Sequence, residues 1–145
     1  MNIASILATK GDKVVTILAE QTIRDALGVL AQHNIGALVV VDDARRPIGM
    51  LSERDIVRWA ARNEAVFPLP VSQLMTRDLI LGAPGDDLGS VGSTMVTRRI
   101  RHLPVVDGGK LIGMVSIGDV VKAQRDQFQG EVDTLQTIVM ERGHR

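Results

Sequence analysis

An internal duplication constrains the fold of this chain more than any other feature of its sequence. The segment IGMLSERD at residues 48–55 is echoed as IGMVSIGD at 112–119, and the upstream segment IGALVVVD at 35–42 is echoed as IRHLPVVD at 100–107. The offset between copies is 65 residues in the upstream pair and 64 in the downstream pair. A similarity sustained at nearly one offset indicates two copies of the same structural unit.

Each copy carries the same succession of secondary-structure signals. A residue type that commonly caps helices, Thr22 in the first copy and Asp87 in the second, precedes apolar residues at helical spacing. The other apolar runs are short and are separated by turn residues, which predicts strands joined by hairpins. The predicted strands are 14–17, 37–41, 48–51, 79–81, 103–106 and 111–115, and the predicted helices are 22–33, 53–62, 88–97 and 117–127.

These elements predict an α+β fold built from two β-α-β-β-α units. We place the first unit at residues 1–67 and the second at 68–127, with the turn-rich segment 63–70 between them. A unit of about 60 residues buries too little apolar surface to be stable alone. We therefore expect the two units to pack sheet to sheet about a pseudo-two-fold axis.

A separate pattern follows the second unit. Residues 128–145 carry apolar side chains at i, i+4, i+7 and i+11, from Phe128 to Val139. Because this spacing places them on one helix face, it predicts a C-terminal helical tail that docks on the body of the protein or on another chain.

Composition argues against several classes of function. Seventeen basic residues balance seventeen acidic ones and only three side chains are aromatic, so nucleic acid is not an expected partner. The chain has no cysteine, its three histidines lack metal-ligand spacing, and no nucleophile-elbow or Walker motif occurs, so we expect neither an enzyme nor a metal site. The longest apolar run, 37–41, is too short to cross a bilayer, and residues 1–8 do not resemble a signal peptide, so a cytoplasmic protein without a membrane partner is expected.

The repeated Ser-x-x-Asp motif has two interpretations. Ser52 with Asp55, and Ser116 with Asp119, match a variant of the helix capping box, in which both side chains satisfy backbone groups at a helix start. The same geometry also suits ligand binding, since a helix start offers N–H groups to an anion and an aspartate one turn further on can accept hydrogen bonds from two adjacent sugar hydroxyls. The motif alone leaves both interpretations open.

The duplicated segments resemble a tandem pair of CBS (cystathionine-β-synthase) domains, also called a Bateman module. The resemblance covers about residues 1–127, and LPVVDGGKLIGMVSIGD in the second copy is its most specific part. The first copy has Val39 where the second has Pro104. The resemblance implies two clefts between the units that bind adenine nucleotides such as AMP, ADP and ATP, or relatives such as NAD. It also implies a homodimer.

Site residues follow from the resemblance by position. It implies that Asp55 and Asp119 bind the ribose and that Ser52 and Ser116 contact ribose or phosphate. A residue near the start of a unit lies beside the base in this family, which indicates Thr76.

Basic residues distinguish the two copies. Arg99, Arg101 and His102 precede the central strand of the second copy, whereas Gly36 and Ala37 lie at the corresponding place in the first. Surface arginines are often only solvated, but in CBS pairs basic residues at this place often reach the ligand phosphates, and the planar guanidinium group suits that task. We expect these three residues, with Arg54 of the first motif, to bind phosphate, and we expect the two clefts to be unequal.

The sequence therefore predicts a non-catalytic module that senses adenine nucleotides. Ligand binding would change the tilt of the two units or their packing in a dimer, and an unidentified effector protein would respond. The alternative is a structural or dimerisation module with no physiological nucleotide ligand.

Overall fold

The computed structural model describes residues 1–11 and 13–143. The first half of the chain alternates helices and strands in the order α1 (Ile3–Lys10), β1 (Thr16–Leu18), α2 (Ile23–His33), β2 (Ala37–Val41), β3 (Pro47–Ser52) and α3 (Glu53–Ala60). The second half continues with α4 (Val71–Leu74), α5 (Leu88–Arg98), β4 (His102–Asp107), β5 (Lys110–Ser116) and α6 (Ile117–Gly143). The predicted α+β fold of two sheet-containing units with a C-terminal helix is confirmed.

The first unit contains a three-stranded sheet in the order β1-β2-β3. Strand β2 pairs parallel with β1 and antiparallel with β3. All five residues of β2 are buried, because helices cover one face of the strand and the second unit covers the other. The continuous apolar run ALVVV is typical of a strand buried on both faces.

The second unit repeats this hairpin but lacks the first strand. Strands β4 and β5 pair antiparallel, and both hairpins shift register at matching positions, between Val40 and Val41 and between Val105 and Val106. The predicted strand at 79–81 is wrong, because the chain forms only an isolated parallel bridge, from Gly82 to Val105. Pro104 gives the reason, since it has no N–H to donate to the preceding chain and so cannot extend the ladder.

The short helices α1 and α4 are exchanged between the units. Ile3 and Ile6 of α1 lie in the hydrophobic core of the second unit, although this helix belongs to the first unit in sequence. Val71 and Leu74 of α4 lie in the core of the first unit. The predicted boundary between residues 67 and 68 is thus crossed by packing in both directions.

Isolated β-bridges show that α1 and α4 are equivalent elements. Asn2, before α1, bridges Asp87, and Pro70, before α4, bridges Thr22. Thr22 and Asp87 are themselves the N-cap residues of α2 and α5. Each short helix therefore begins beside the corresponding helix of the opposite unit. Helix α1 was not predicted from the sequence.

The two sheets meet through a small apolar cluster. Val39 and Val41 of β2 pack with Leu111 of β5, and all three are nearly or fully buried. The turn before β3 adds polar contacts, because the Leu111 N–H donates to the Arg45 carbonyl (3.0 Å) and Arg45 Nε donates to the Leu111 carbonyl (3.2 Å). These contacts fix the units relative to each other.

The predicted C-terminal tail is helical, but it is not a separate helix. Helix α6 runs without a break from the second Ser-x-x-Asp motif to Gly143, and the last two residues of the predicted tail lie outside the described residues. Only its first part contributes to the core, through the buried Val120. Phe128, Leu135 and Val139 are each more than 60% exposed.

Candidate functional site

The first copy of the motif forms a complete capping box at the start of α3. The Ser52 N–H and Oγ–H both donate to Asp55 Oδ2 (2.9 Å each), and the Asp55 N–H donates to Ser52 Oγ (3.2 Å). The structural interpretation of the motif is therefore correct. Within residues 1–11 and 13–143, no hydrogen bond or ion pair involves the other carboxylate oxygen of Asp55, Oδ1, so this oxygen can accept hydrogen bonds from a ligand.

This capping box lies on the wall of a cleft of about 380 Å³ between the two units. A cleft of this volume falls at the lower end of the range for small-molecule sites. The start of α3, the chain after α4 and the segment leading into β4 form its walls. Seven of the nine site residues predicted from the sequence line it: Ser52, Arg54, Asp55, Thr76, Arg99, Arg101 and His102.

Apolar and acidic side chains that the sequence did not single out also line this first cleft. Leu79, Ile80 and Pro104 supply apolar surface, and Glu53 and Asp78 supply carboxylates. Leu79 and Ile80 follow Thr76, so the predicted position of Thr76 beside a base was the available signal for them, whereas Pro104 lies within the buried part of β4. No local pattern distinguished the two carboxylates from ordinary solvent-exposed charges.

Arg99 reaches the cleft from an unusual backbone conformation. It is the C-cap residue of α5 and lies in the left-handed region, with φ 55° and ψ 43°. The equivalent residue of the first unit, Asn34, adopts nearly the same angles. Asparagine tolerates this region, whereas a longer side chain such as arginine is disfavoured there. An arginine at this position is therefore retained at a cost in folding stability.

His102 lies where the first cleft approaches the second copy of the motif. Burial is the main cause that lowers the pKa of His102 below its ordinary value. Lys10 and Arg101 lower this pKa further, while Asp119 opposes them. The imidazole ring is therefore neutral at neutral pH, and an anion bound nearby would favour its protonation.

The second copy of the motif does not line the first cleft. The Ser116 N–H donates to Asp119 Oδ2 (2.8 Å) and the Asp119 N–H donates to Ser116 Oγ (3.0 Å), which repeats the cap of α3. Asp119 Oδ2 also accepts a hydrogen bond from Lys10 Nζ at 2.6 Å. The ion pair with Lys10, a residue of the unpredicted helix α1, therefore distinguishes the second copy of the motif from the first.

The Lys10 contact also affects the acidity of Asp119. Burial acts to raise the pKa of this carboxyl group, but hydrogen bonds from Lys10 and Ser116, together with the positive charge of Lys10, outweigh burial and lower the pKa below its ordinary value. Asp119 is thus a carboxylate paired with a lysine through Oδ2, the same oxygen that accepts the Ser116 N–H, whereas Asp55 Oδ2 is bonded within its own capping box.

Among residues 1–11 and 13–143, no group of three or more histidine, aspartate or glutamate side chains is arranged to hold a metal ion. Across the same residues, no helix is both long enough and apolar enough to cross a membrane. The chemistry on offer in the first cleft is hydrogen bonding, charge complementarity and apolar contact.

Two capped helix starts, each following a β-hairpin in one of two packed units, with a cleft between the units, define the class of the CBS domain pairs. The model of the CBS domain matches residues 4–62 and 71–126, and the chain belongs to this family.

Individual relatives agree with this assignment. The CBS domain-containing protein YhcV of Bacillus subtilis (strain 168) is 35% identical over 121 residues, which cover 83% of this chain and 86% of that protein. The crystal structure of the CBS-domain containing protein ATU1752 of Agrobacterium tumefaciens superposes with a TM-score of 0.80 at 36% identity, over 86% of this chain and 99% of that one. Neither protein is named for an enzymatic activity.

A third relative was solved with ligands. The CBS domain pair of protein MJ0100, in complex with 5′-methylthioadenosine and S-adenosyl-L-methionine, is 25% identical to this chain with a TM-score of 0.75. The similarity covers 85% of this chain and 98% of that one. Adenosine-containing ligands thus occur in a CBS pair of this fold.

Proposed function

We propose that this chain is a non-catalytic regulatory module that binds an adenine nucleotide in the first cleft. The observation that supports it most is the convergence of seven predicted ligand residues, from three separate stretches of sequence, on one cleft. Residues this far apart in sequence are brought together only by the packing of the two units. Ligand binding in this cleft would therefore change the relative position of the two units, and a partner protein would respond to that change.

Each part of a nucleotide has a matching group in the cleft. Leu79, Ile80 and Pro104 offer apolar contact to a base, beside the Thr76 hydroxyl group. Asp55 Oδ1 is available to the ribose hydroxyls. The phosphate groups would bind to the basic side chains of the cleft, which are Arg54, Arg99, Arg101 and His102.

The guanidinium groups of the first cleft favour a nucleotide over an uncharged or cationic adenosine derivative. The ligands of the MJ0100 pair have no phosphate. Here, three arginines would lie unpaired beside such a ligand, whereas a phosphate can accept bidentate hydrogen bonds from their guanidinium groups. We expect AMP, ADP, ATP or NAD to bind more tightly than 5′-methylthioadenosine.

Thermal unfolding in the presence of each ligand tests the proposal. A ligand that binds the folded state raises the melting temperature, and the stabilisation grows with the logarithm of one plus the ratio of its free concentration to its dissociation constant. We expect at least one adenine nucleotide to raise the melting temperature of the wild type and to have little effect on Asp55→Ala.

A matched variant controls for lost helix capping. Asp25 closes a capping box with Thr22 at the start of α2, in the same way as Asp55 does with Ser52, but it does not line the cleft. Asp25→Ala and Asp55→Ala should both lose about 1 kcal/mol of stability, and only Asp55→Ala should lose the response to nucleotide. An equal response in the two variants would remove Asp55 from the site.

A structural or dimerisation role remains the second candidate, and α6 favours it. Phe128, Leu135 and Val139 present apolar surface along the distal part of this helix. Water-exposed apolar surface of this kind commonly marks a protein-protein contact. If no adenine nucleotide changes the melting temperature, this candidate replaces the regulatory one.

A further inference from the structure

Segment 77–81 crosses from one sheet to the other along the wall of the first cleft. Just before it, Thr76 exchanges two backbone hydrogen bonds with Met50 of β3, at 2.8 and 2.9 Å. Just after it, Gly82 makes two backbone hydrogen bonds to β4, also at 2.8 and 2.9 Å. In the part of the chain that the structure describes, the backbone of the segment itself makes no hydrogen bond to either sheet. Three of its five residues line the first cleft.

Pro104 of β4 faces this segment with an edge that lacks a donor. Its carbonyl accepts the Gly82 N–H, and in an extended strand the N–H and the carbonyl of one residue point to the same side. An N–H at position 104 would therefore point toward segment 77–81, and by the spacing of a parallel ladder its acceptor would be the Ile80 carbonyl. Because proline has no N–H, the pairing with β4 ends at Gly82.

In the first unit the pairing does not end at the corresponding point. Val39 stands where the second unit has Pro104, and it has an N–H. The parallel ladder of the first unit includes the pair of Thr16 with Val39, whereas the second unit ends one pair earlier, at Gly82. The two units therefore differ at this edge by a single backbone donor.

We propose that Pro104 is a positioning residue that keeps the base side of the first cleft open, because it prevents segment 77–81 from pairing with β4. The side chains of Leu79 and Ile80 line the cleft together with Pro104, and they do so from a segment that stays unpaired. The inference rests on the proposed function, since it takes this apolar wall to be the place where the base binds.

Pro104→Val restores the missing donor. Position 104 is buried, so a new N–H there needs an acceptor, because an unpaired buried N–H is costly. The Ile80 carbonyl is the acceptor that the ladder offers, and pairing with it draws segment 77–81 against β4 and narrows the cleft. We expect the affinity for AMP to fall at least about tenfold, the order expected when one base loses its contacts.

Two measurements on Pro104→Val test the proposal. Titration calorimetry gives the dissociation constant for AMP. Hydrogen exchange followed by NMR in the nucleotide-free protein gives the protection of the new amide at position 104, which should be comparable to that of Val39. Pro47→Val is the matched control, since it also replaces a strand proline, in β3, but at a position that does not line the first cleft. This control should bind AMP as the wild type does.

The exchange measurement needs no ligand, so it separates this inference from the proposed function. An amide at position 104 that exchanges freely, or an AMP affinity equal to that of the wild type, overturns the positioning role of Pro104. A protected amide in the variant, combined with a wild type that binds no adenine nucleotide, overturns the proposed function and supports the effect of Pro104 on the shape of the cleft.

Discussion

At the scale of single residues, the two units differ in which side chains they place at equivalent backbone positions. Asn34 and Arg99 are both left-handed C-cap residues, but only the arginine lines a cleft. Asp55 and Asp119 both complete capping boxes, but only Asp119 is paired with a lysine. The shared backbone comes from the duplication, and the differences in chemistry come from individual substitutions on it.

Arg99→Asn tests whether this arginine is retained for ligand binding. Because asparagine tolerates the left-handed region better, the variant should gain about 1 kcal/mol in the free energy of unfolding. It should also lose at least about tenfold in AMP affinity, since it gives up charge-assisted hydrogen bonds to phosphate. Urea denaturation and calorimetry measure the two effects. A variant that gains stability and binds AMP as tightly as the wild type would show that Arg99 does not contact phosphate.

His102 predicts a pH dependence of binding. In the free protein the pKa of His102 lies below the ordinary value of 6.5, and a bound phosphate would raise this pKa. Ligand binding is therefore accompanied by uptake of a proton as the pH falls toward the pKa of His102. AMP affinity should therefore increase more between about pH 8 and about pH 6 in the wild type than in His102→Gln. The variant is needed because the AMP phosphate titrates in the same range. Parallel pH profiles of the two proteins would place His102 away from the phosphate.

Asp119 predicts a pH dependence of stability. Its folded-state pKa is lowered below 3.8, so the stabilisation it provides is complete above the pKa of the unfolded chain and is lost as pH falls through the folded-state value. Asp119→Asn should therefore lose less stability than the wild type on acidification below about pH 4. Urea denaturation at a series of acidic pH values measures the difference. Equal slopes would mean that the Lys10 contact contributes nothing in solution.

At the scale of elements, the sequence predicted the strands and helices that are determined by patterns of neighbouring residues. The hairpins and the helices α2, α3 and α5 follow from alternation, capping residues and the motif, because each of these acts over a few residues. The seven residues of the first cleft were implied by the resemblance to CBS domain pairs. Helix α1 and Lys10 were missed because their partners are remote, with Lys10 and Asp119 109 positions apart in the sequence. The predicted strand at 79–81 failed because one residue of its partner strand, Pro104, lacks an N–H.

The exchanged helix α1 predicts where stability resides. Ile3 is fully buried in the core of the second unit, so Ile3→Ala should cost about 2–5 kcal/mol in the free energy of unfolding. Ile138→Ala, at a 41% exposed position of α6, should cost far less. Urea denaturation of both variants provides the comparison. A loss below about 1 kcal/mol for Ile3→Ala would mean that α1 is not part of this core.

At the scale of the whole molecule, the exposed stripe of α6 predicts self-association. We expect a homodimer in solution, with Leu135 and Val139, which are 63% and 67% exposed, buried at the contact. Leu135→Glu would place a charge in this apolar contact and should yield a folded monomer. Light scattering coupled to size exclusion measures both masses, with Gln136→Glu as a charge-matched control on the same helix. A monomeric wild type would contradict the expectation.

The crystal structure of the wild type grown with AMP tests the central claim most directly. The account predicts a nucleotide in the first cleft, with the ribose hydroxyls donating to Asp55 and the phosphate among Arg99, Arg101 and His102. A nucleotide bound only elsewhere on the chain, or a first cleft without nucleotide at saturating AMP, would contradict the account.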